Sequence, residues 1–306
     1  MRRVPAAPYD GPTTLAIDVS HHQGEIDWGA VARSEAILGL DLDPDRARKG
    51  SLQGPVRLAI VRTGDGKDAD RRARENLQGA HGAGIPVGVY HYLRADRGAG
   101  TQIEVMREVL AVAGARPAFA AIDIESGAAA NLPGGVVSGP RREALPPELV
   151  AVEALELLRR VETQLRIPAA VYTGQAFHWW WSQPRPATAA RFARYPLWLA
   201  DYRRRPHLPA HGTEPHPWPA WTLWQYTSEG RIRGIRGPVD LNVFRGDEAE
   251  LERWLAAGPN DTTGPVTVDP LTIARERVLA AAADLKRTHP RRAEALVGAA
   301  KDALTP

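Results

Sequence analysis

A chain of 306 residues with 43% hydrophobic and 25% charged residues can bury a substantial core, which excludes a largely disordered polymer. Its 39 basic and 36 acidic residues leave a net charge of only +3, so no concentrated basic surface for nucleic acid is expected; the mild positive balance suits an anionic cell wall and an unpartnered solvated surface equally. The absence of cysteine excludes disulfides, thiol catalysis and cysteine-bound metal centres.

Residues 1–14 read as an N-terminal extension. Arg2 and Arg3 are followed by Pro5, Pro8 and Pro12, which interrupt any apolar run of the kind an export signal needs, so no signal is legible. No segment approaches the roughly 20 apolar residues of a membrane span, and membrane insertion is not expected. From Leu15 onward, short apolar runs alternate with amphipathic stretches, the pattern of strand–helix units around a parallel sheet. Strands are predicted at Leu15–Ser20, Arg57–Thr63, Val87–Leu93, Phe119–Glu125, Ala169–Thr173, Leu197–Tyr202, Thr222–Thr227 and Val239–Phe244. Helices fit Trp28–Leu38, Asp70–Gly82, Gly100–Ala113 and Pro147–Leu165, with a shorter fifth after Gly174. The last three strands are joined by Pro-rich or Gly-rich segments with little helical pattern, so the second half is expected to be irregular. The fold class is α/β: an irregular TIM-like barrel over residues 15–257, with eight strands and about five helices. Residues 258–270, with Pro259, Pro265 and Pro270, read as a linker, and 271–306 as a short helical tail of unassigned role, broken near Pro290.

Asp123 and Glu125 stand two apart on a predicted strand, so both side chains leave one face, separated by roughly 7 Å along the backbone. Surrounded by Ala, Ile and Phe, such a pair is costly to ionise fully; mutual repulsion raises one carboxyl into the range of a general acid, the asymmetry that glycosidic cleavage requires. A solvated strand end is the competing reading. Asp18 lies near the end of the first strand and Asp240 on the last, and in strand–helix barrels catalytic groups gather where strands meet loops, so the four acids are expected to converge. Tyr90, Tyr92, Tyr172 and Trp198 also fall on strands, and with Gln225 they form the candidate substrate-binding set; core packing is the alternative role for each ring. One ring of the Trp179–Trp181 run is a further candidate for the cleft. His207, His211 and His216 lie in a Pro-rich loop without a fixed geometry, so no metal and no cofactor is expected. Gly64-Asp-Gly66 lacks the glycine spacing and lysine of a phosphate loop.

These landmarks together resemble the glycoside hydrolase family 25 muramidases, the Chalaropsis-type lysozymes that include many phage endolysins. The resemblance runs over about residues 15–250 and is carried by Ile17-Asp-Val-Ser-His-His-Gln-Gly-Glu-Ile-Asp-Trp28, Gly84-Ile-Pro-Val-Gly-Val-Tyr-His-Tyr92, Ile122-Asp-Ile-Glu125, Leu197-Trp-Leu-Ala-Asp-Tyr202, Trp224-Gln-Tyr-Thr-Ser228 and Val239-Asp-Leu-Asn242. It implies hydrolysis of the β-1,4 bond between N-acetylmuramic acid and N-acetylglucosamine in bacterial peptidoglycan, with Glu125 as general acid/base and Asp123 as the partner that orients the substrate's acetamido group. Asp18 and Asp240 are then the supporting acids. With no legible export signal, the protein is expected to be made in the cytoplasm of a phage-infected cell and to act on the wall after release, as a monomer. This sequence departs from the family pattern in an insertion at Gly39–Pro55, in Ala73 where an aromatic residue is common, and in a long Ser126–Pro146 loop beside the acids. Two other readings compete: a chitinase-like glycosidase, which would show more spaced aspartates before the glutamate, and a non-catalytic wall-binding or virion protein on the same barrel.

Overall fold

The computed structural model describes residues 11–34, 55–114, 116–125, 147–174, 190–202 and 218–257. The predicted helix after Gly174, the Trp179–Trp181 run, the three loop histidines, the Ser126–Pro146 loop and the 258–306 linker and tail lie outside these residues, as does most of the Gly39–Pro55 insertion.

Nine strands form one sheet: β1 Thr13–Val19, β2 Leu58–Asp65, β3 Asp68–Ala69, β4 Val87–Tyr92, β5 Ala120–Asp123, β6 Ala169–Gly174, β7 Leu197–Ala200, β8 Leu223–Gly230 and β9 Val239–Arg245. Their order is β1-β9-β8-β7-β6-β5-β4-β2-β3, and β1 also pairs with β2, so eight strands close a barrel and β3 is a short return on β2. Each of the eight predicted strands is present. The expectation of a parallel sheet needs one correction: β9 runs antiparallel to both neighbours, β8 and β1. The segment between Gly230 and Val239 contains no helix, and a parallel return needs a crossover of roughly a dozen residues or more, so the chain can only double back.

The helices are α1 Trp28–Ala32, α2 Ala73–Gly82, α3 Ala99–Ala113, α4 Pro147–Arg160 and α5 Glu248–Ala257. The first ends at Ala32, short of the predicted Leu38. The second starts at Ala73 rather than Asp70, because the Asp70 carboxylate accepts from the Arg72 backbone N–H at 2.9 Å and forms the turn ahead of the helix. α3 begins after Gly98 and is stopped by Gly114 in the left-handed region; its first N–H, from Ala99, donates to the buried Glu153 of α4 at 2.8 Å. Such a carboxylate satisfies a donor the helix itself cannot. α5 opens with a reciprocal cap between Asp247 and Glu250.

Alternation along the strands sorts the core into two layers. One face, including Ile17, Val61, Val89, Ile122, Val171 and Leu241, packs beneath helix residues such as Leu77, Ile103, Met106, Leu157 and Leu158. The other lines the barrel: Ala16, Leu58, Ile60, Phe119, Ala121, Ala170, Tyr172, Trp198, Leu223 and Phe244, with Leu251 and Trp254 of α5 packed against them. The interior is therefore a filled core. Phe119 fits because its neighbour on β4 is Gly88, where a Cβ would come within 2.5 Å of the phenyl ring.

Candidate active site

The strands β1, β2 and β4 to β8 all deliver their C-terminal ends to one mouth, and β9, running the other way, delivers its start there. Asp18 and Asp240 consequently sit directly opposite each other in the β1–β9 register, a spacing at which cross-strand side chains on one face interact. Asp18 is held from two sides. Gln225 Nε2 and Asn242 Nδ2 each donate to its Oδ2 at 2.8 Å. The two amides are themselves oriented: the Tyr172 and Tyr202 hydroxyls donate to Gln225 Oε1 at 2.7 and 2.6 Å, and Trp198 Nε1 donates to Asn242 Oδ1 at 2.7 Å. Because both amide oxygens are already occupied by donors, both amide nitrogens must face Asp18. Burial nevertheless pushes the Asp18 carboxyl up to about 6, the two hydrogen bonds offsetting only part of that cost. Asp240 is pushed up to about 8, by burial first and by the charge of Asp18 second. Two opposed acids with separated affinities hold a proton between them at neutral pH.

Asp123 ends β5, and the ladder continues one residue further, where the Ile124 N–H donates to Tyr172 O at 2.9 Å; Glu125 follows at the rim. Asp123 is buried, and its Oδ1 accepts no hydrogen bond among the described residues. Burial and then repulsion from Glu125 hold its carboxyl well above the usual range. Glu125 is raised as well, by burial, against the neighbouring Tyr172 hydroxyl and the positive charge of Arg62, which favour its ionised form. The pair therefore titrates as a unit that retains a proton where isolated carboxylates would have lost theirs.

Around the acids, Trp198 is edge-on to Tyr172 and Tyr90, with ring centroids 4.6 and 5.9 Å away. Trp198, Tyr172 and Gln225 are 1%, 5% and 3% exposed, so they pack behind the acids and orient them, whereas Tyr90 and Tyr92 are only half-buried. The structure brings all nine candidate residues, Asp18, Asp123, Glu125, Asp240, Tyr90, Tyr92, Tyr172, Trp198 and Gln225, to one end of the barrel. Sequence reasoning missed Asn242, Tyr202 and Arg62. Asn242 sits two residues after Asp240 and so shares its face, a signal available from alternation alone. Tyr202, 49% exposed, stands at the mouth beside Gln225. At the rim, His21 places both its backbone N–H and its ring Nδ1 against Asp70 Oδ2, at 3.1 and 2.6 Å, fixing the loop after β1.

An eight-stranded barrel whose mouth gathers a proton-sharing carboxylate pair and two supporting acids defines a glycosidase-type barrel enzyme. The family model for glycosyl hydrolases family 25 matches residues 17–235, and the chain belongs to that family of glycoside hydrolases. Lysozyme M1 of Streptomyces globisporus is 26% identical over 250 residues, spanning 80% of this chain and 72% of that protein. The uncharacterized protein YegX of Escherichia coli is 27% identical over 255 residues, spanning 83% of this chain and 76% of its own length. Among solved structures, the bacterial lysozyme from Streptomyces coelicolor shares the fold with a TM-score of 0.57 at 23% identity, covering 83% of this chain and all of that one. A family 25 lysozyme from Aspergillus fumigatus does so with a TM-score of 0.55 at 21% identity, covering 81% of this chain and 100% of its own.

Proposed function

We propose that the protein is a lysozyme, an N-acetylmuramidase that hydrolyses the β-1,4 bond between N-acetylmuramic acid and N-acetylglucosamine in bacterial peptidoglycan. The observation that carries this reading is the Asp123–Glu125 pair: a buried carboxyl and a half-buried one that share a proton, the first presenting an oxygen with no donor among the described residues. An acetamido N–H donated to Asp123 Oδ1 would favour the ionised form of that residue and leave the shared proton on Glu125. Substrate binding itself would then assign the roles. Glu125 gives its proton to the glycosidic oxygen as the bond from C1 breaks, and the acetamido carbonyl oxygen, steered by Asp123, closes on C1. Water then adds to C1 as the bond from C1 to the acetamido oxygen breaks and the acetamido group is restored, Glu125 taking the water's proton and leaving muramic acid at a new reducing end. Asp18, locked by Gln225 and Asn242, and Asp240 opposite it shape the negative field around the positive charge that develops at the sugar ring. The rings of Tyr90, Tyr92 and Tyr202 offer the accessible aromatic surface on which sugars can lie.

Purified peptidoglycan sacculi incubated with the protein test the reading through two paired readouts, wall binding and the release of reducing ends. Release of reducing ends from sacculi is expected. Binding without release would favour the wall-binding alternative, and release from chitin but not from sacculi would favour the chitinase-like one.

A further inference from the structure

Arg62 is a charged residue for which the chemistry above has no use. On β2 the side chains of Leu58 and Ile60 belong to the barrel lining and those of Ala59 and Val61 to the layer under the helices, so Arg62 continues the inward series. Its register partner on β4 is Tyr90, and its side chain is only 12% exposed. A guanidinium at such a position is costly to desolvate unless it is held and paired.

It is held at several points. Arg62 Nε donates to Gly64 O at 3.4 Å, its Nη2 lies 3.1 Å from Asp65 Oδ2, and its Cζ is 5.6 Å from the centroid of the Tyr92 ring. Arg94 braces the same two groups: its Nη2 donates to Asp65 Oδ2 at 2.8 Å, and its Cζ lies 4.7 Å from the Tyr92 ring. The turn between β2 and β3 keeps Asp65 in place. Gly66, at φ +59°, donates its N–H to Tyr92 O and accepts from the buried His91 Nε2, each at 3.0 Å, and a Cβ there would come within 2.6 Å of the Arg94 side chain. The β2–β4 register shifts between Arg62 and Gly64, an irregularity of the kind that re-aims a side chain beside a site. The Gly64-Asp-Gly66 sequence is thus the mount for a cation rather than a phosphate loop.

We infer that Arg62 is a positioning residue for the cleavage reaction: fixed by Asp65 and the Tyr92 ring, it supplies the positive field in which the Asp123–Glu125 pair carries its negative charge before and after Glu125 gives up its proton. The electrostatics run in this sense, since Arg62 favours the ionised forms of both Asp123 and Glu125 against the burial that opposes them. The other groups that feel Arg62 are Asp65 on its own strand, Tyr90 and His91 of β4, and His22 beyond β1; Asp18 and Asp65 add negative charge at Asp123.

The inference rests on the muramidase reading, and the pH dependence of kcat/KM on labelled sacculi separates the two. For Arg62→Gln, both limbs of the bell-shaped profile are expected to move to higher pH by roughly one unit, because each ionisation of the pair loses a favourable charge. The maximum is expected to fall roughly ten-fold. Arg62→Lys keeps the charge and is expected to return both limbs to within a few tenths of a unit of the wild type, roughly. Arg62→Met, which keeps the length of the stem, carries the same expectation as Gln should Gln fail to fold; thermal melting establishes folding for each. A folded Gln or Met variant with a reduced maximum but unmoved limbs would show a merely structural residue and overturn the inference while leaving the muramidase reading intact. A wild type that releases no muramic acid reducing ends would instead defeat the parent reading.

Discussion

The floor and the mouth of the barrel are built by the same strands with the same alternation, yet they serve opposite ends. At the floor, the inward positions are Leu58, Phe119, Leu223 and Phe244, with Trp254 from α5 packed on Phe119 and Phe244 at centroid distances of 5.0 and 5.5 Å. Every one of these side chains gains free energy on leaving water. One or two inward steps further along, the positions are Arg62, Tyr90, Asp123 and Tyr172, joined by Asp18 and Asp240 at their strand ends. There, burial works against the residues that occupy it, and the raised carboxyls record the cost. The floor supplies the stability that the mouth consumes, and a single β register fixes both.

Substitutions at the two ends should therefore fail in different ways. Phe119→Ala removes the ring that fills the space over Gly88 and is expected to cost about 3–5 kcal/mol of stability, read as a fall in the denaturation midpoint. A loss under about 1 kcal/mol would show that the floor does not bear the core as described. Asp240→Asn should do the reverse. The folded protein holds a proton on Asp240 up to about pH 8, whereas the unfolded chain releases it near its ordinary 3.8. That residue's contribution is intact below the unfolded value and is lost as pH rises through this window. The variant is expected to match the wild type near pH 4 and to exceed it by roughly 5 kcal/mol near pH 9. Equal pH dependence in the two proteins would remove the argument that the mouth is under electrostatic load.

The same contrast explains what could be read from the sequence. All eight strands were legible because alternating apolar residues report a buried face directly, and the carboxylates were legible because two acids at spacing two on such a strand cannot point apart. The direction of β9 was not, since periodicity carries no sense of direction; the short segment before it held that information. Helix α5 was missed, although Asp247 and Glu250 bracket its first turn as a reciprocal cap ahead of Leu251, Trp254 and Leu255. The chain of hydrogen bonds from Tyr172 and Tyr202 through Gln225 to Asp18, and back through Asn242 to Trp198, was invisible because it joins five separate strand ends. Aromatic residues on strands offered two readings, and burial divides them: Trp198 and Tyr172 are buried behind the acids, and Tyr90 and Tyr92 are half-buried at the mouth. Arg62 went unrecognised because a lone charge near a strand end resembles a solvated terminus until its neighbours are known.

Mass spectrometry of the soluble fragments released from purified peptidoglycan by the wild type and by Glu125→Gln tests the central claim most directly. Wild-type fragments carrying muramic acid at the new reducing end are expected. With Glu125→Gln, which keeps the shape but removes the proton donor, their yield should fall roughly 10²–10⁴-fold in a protein that melts no earlier. Fragments released undiminished by the variant, or wild-type fragments ending in N-acetylglucosamine, would contradict it.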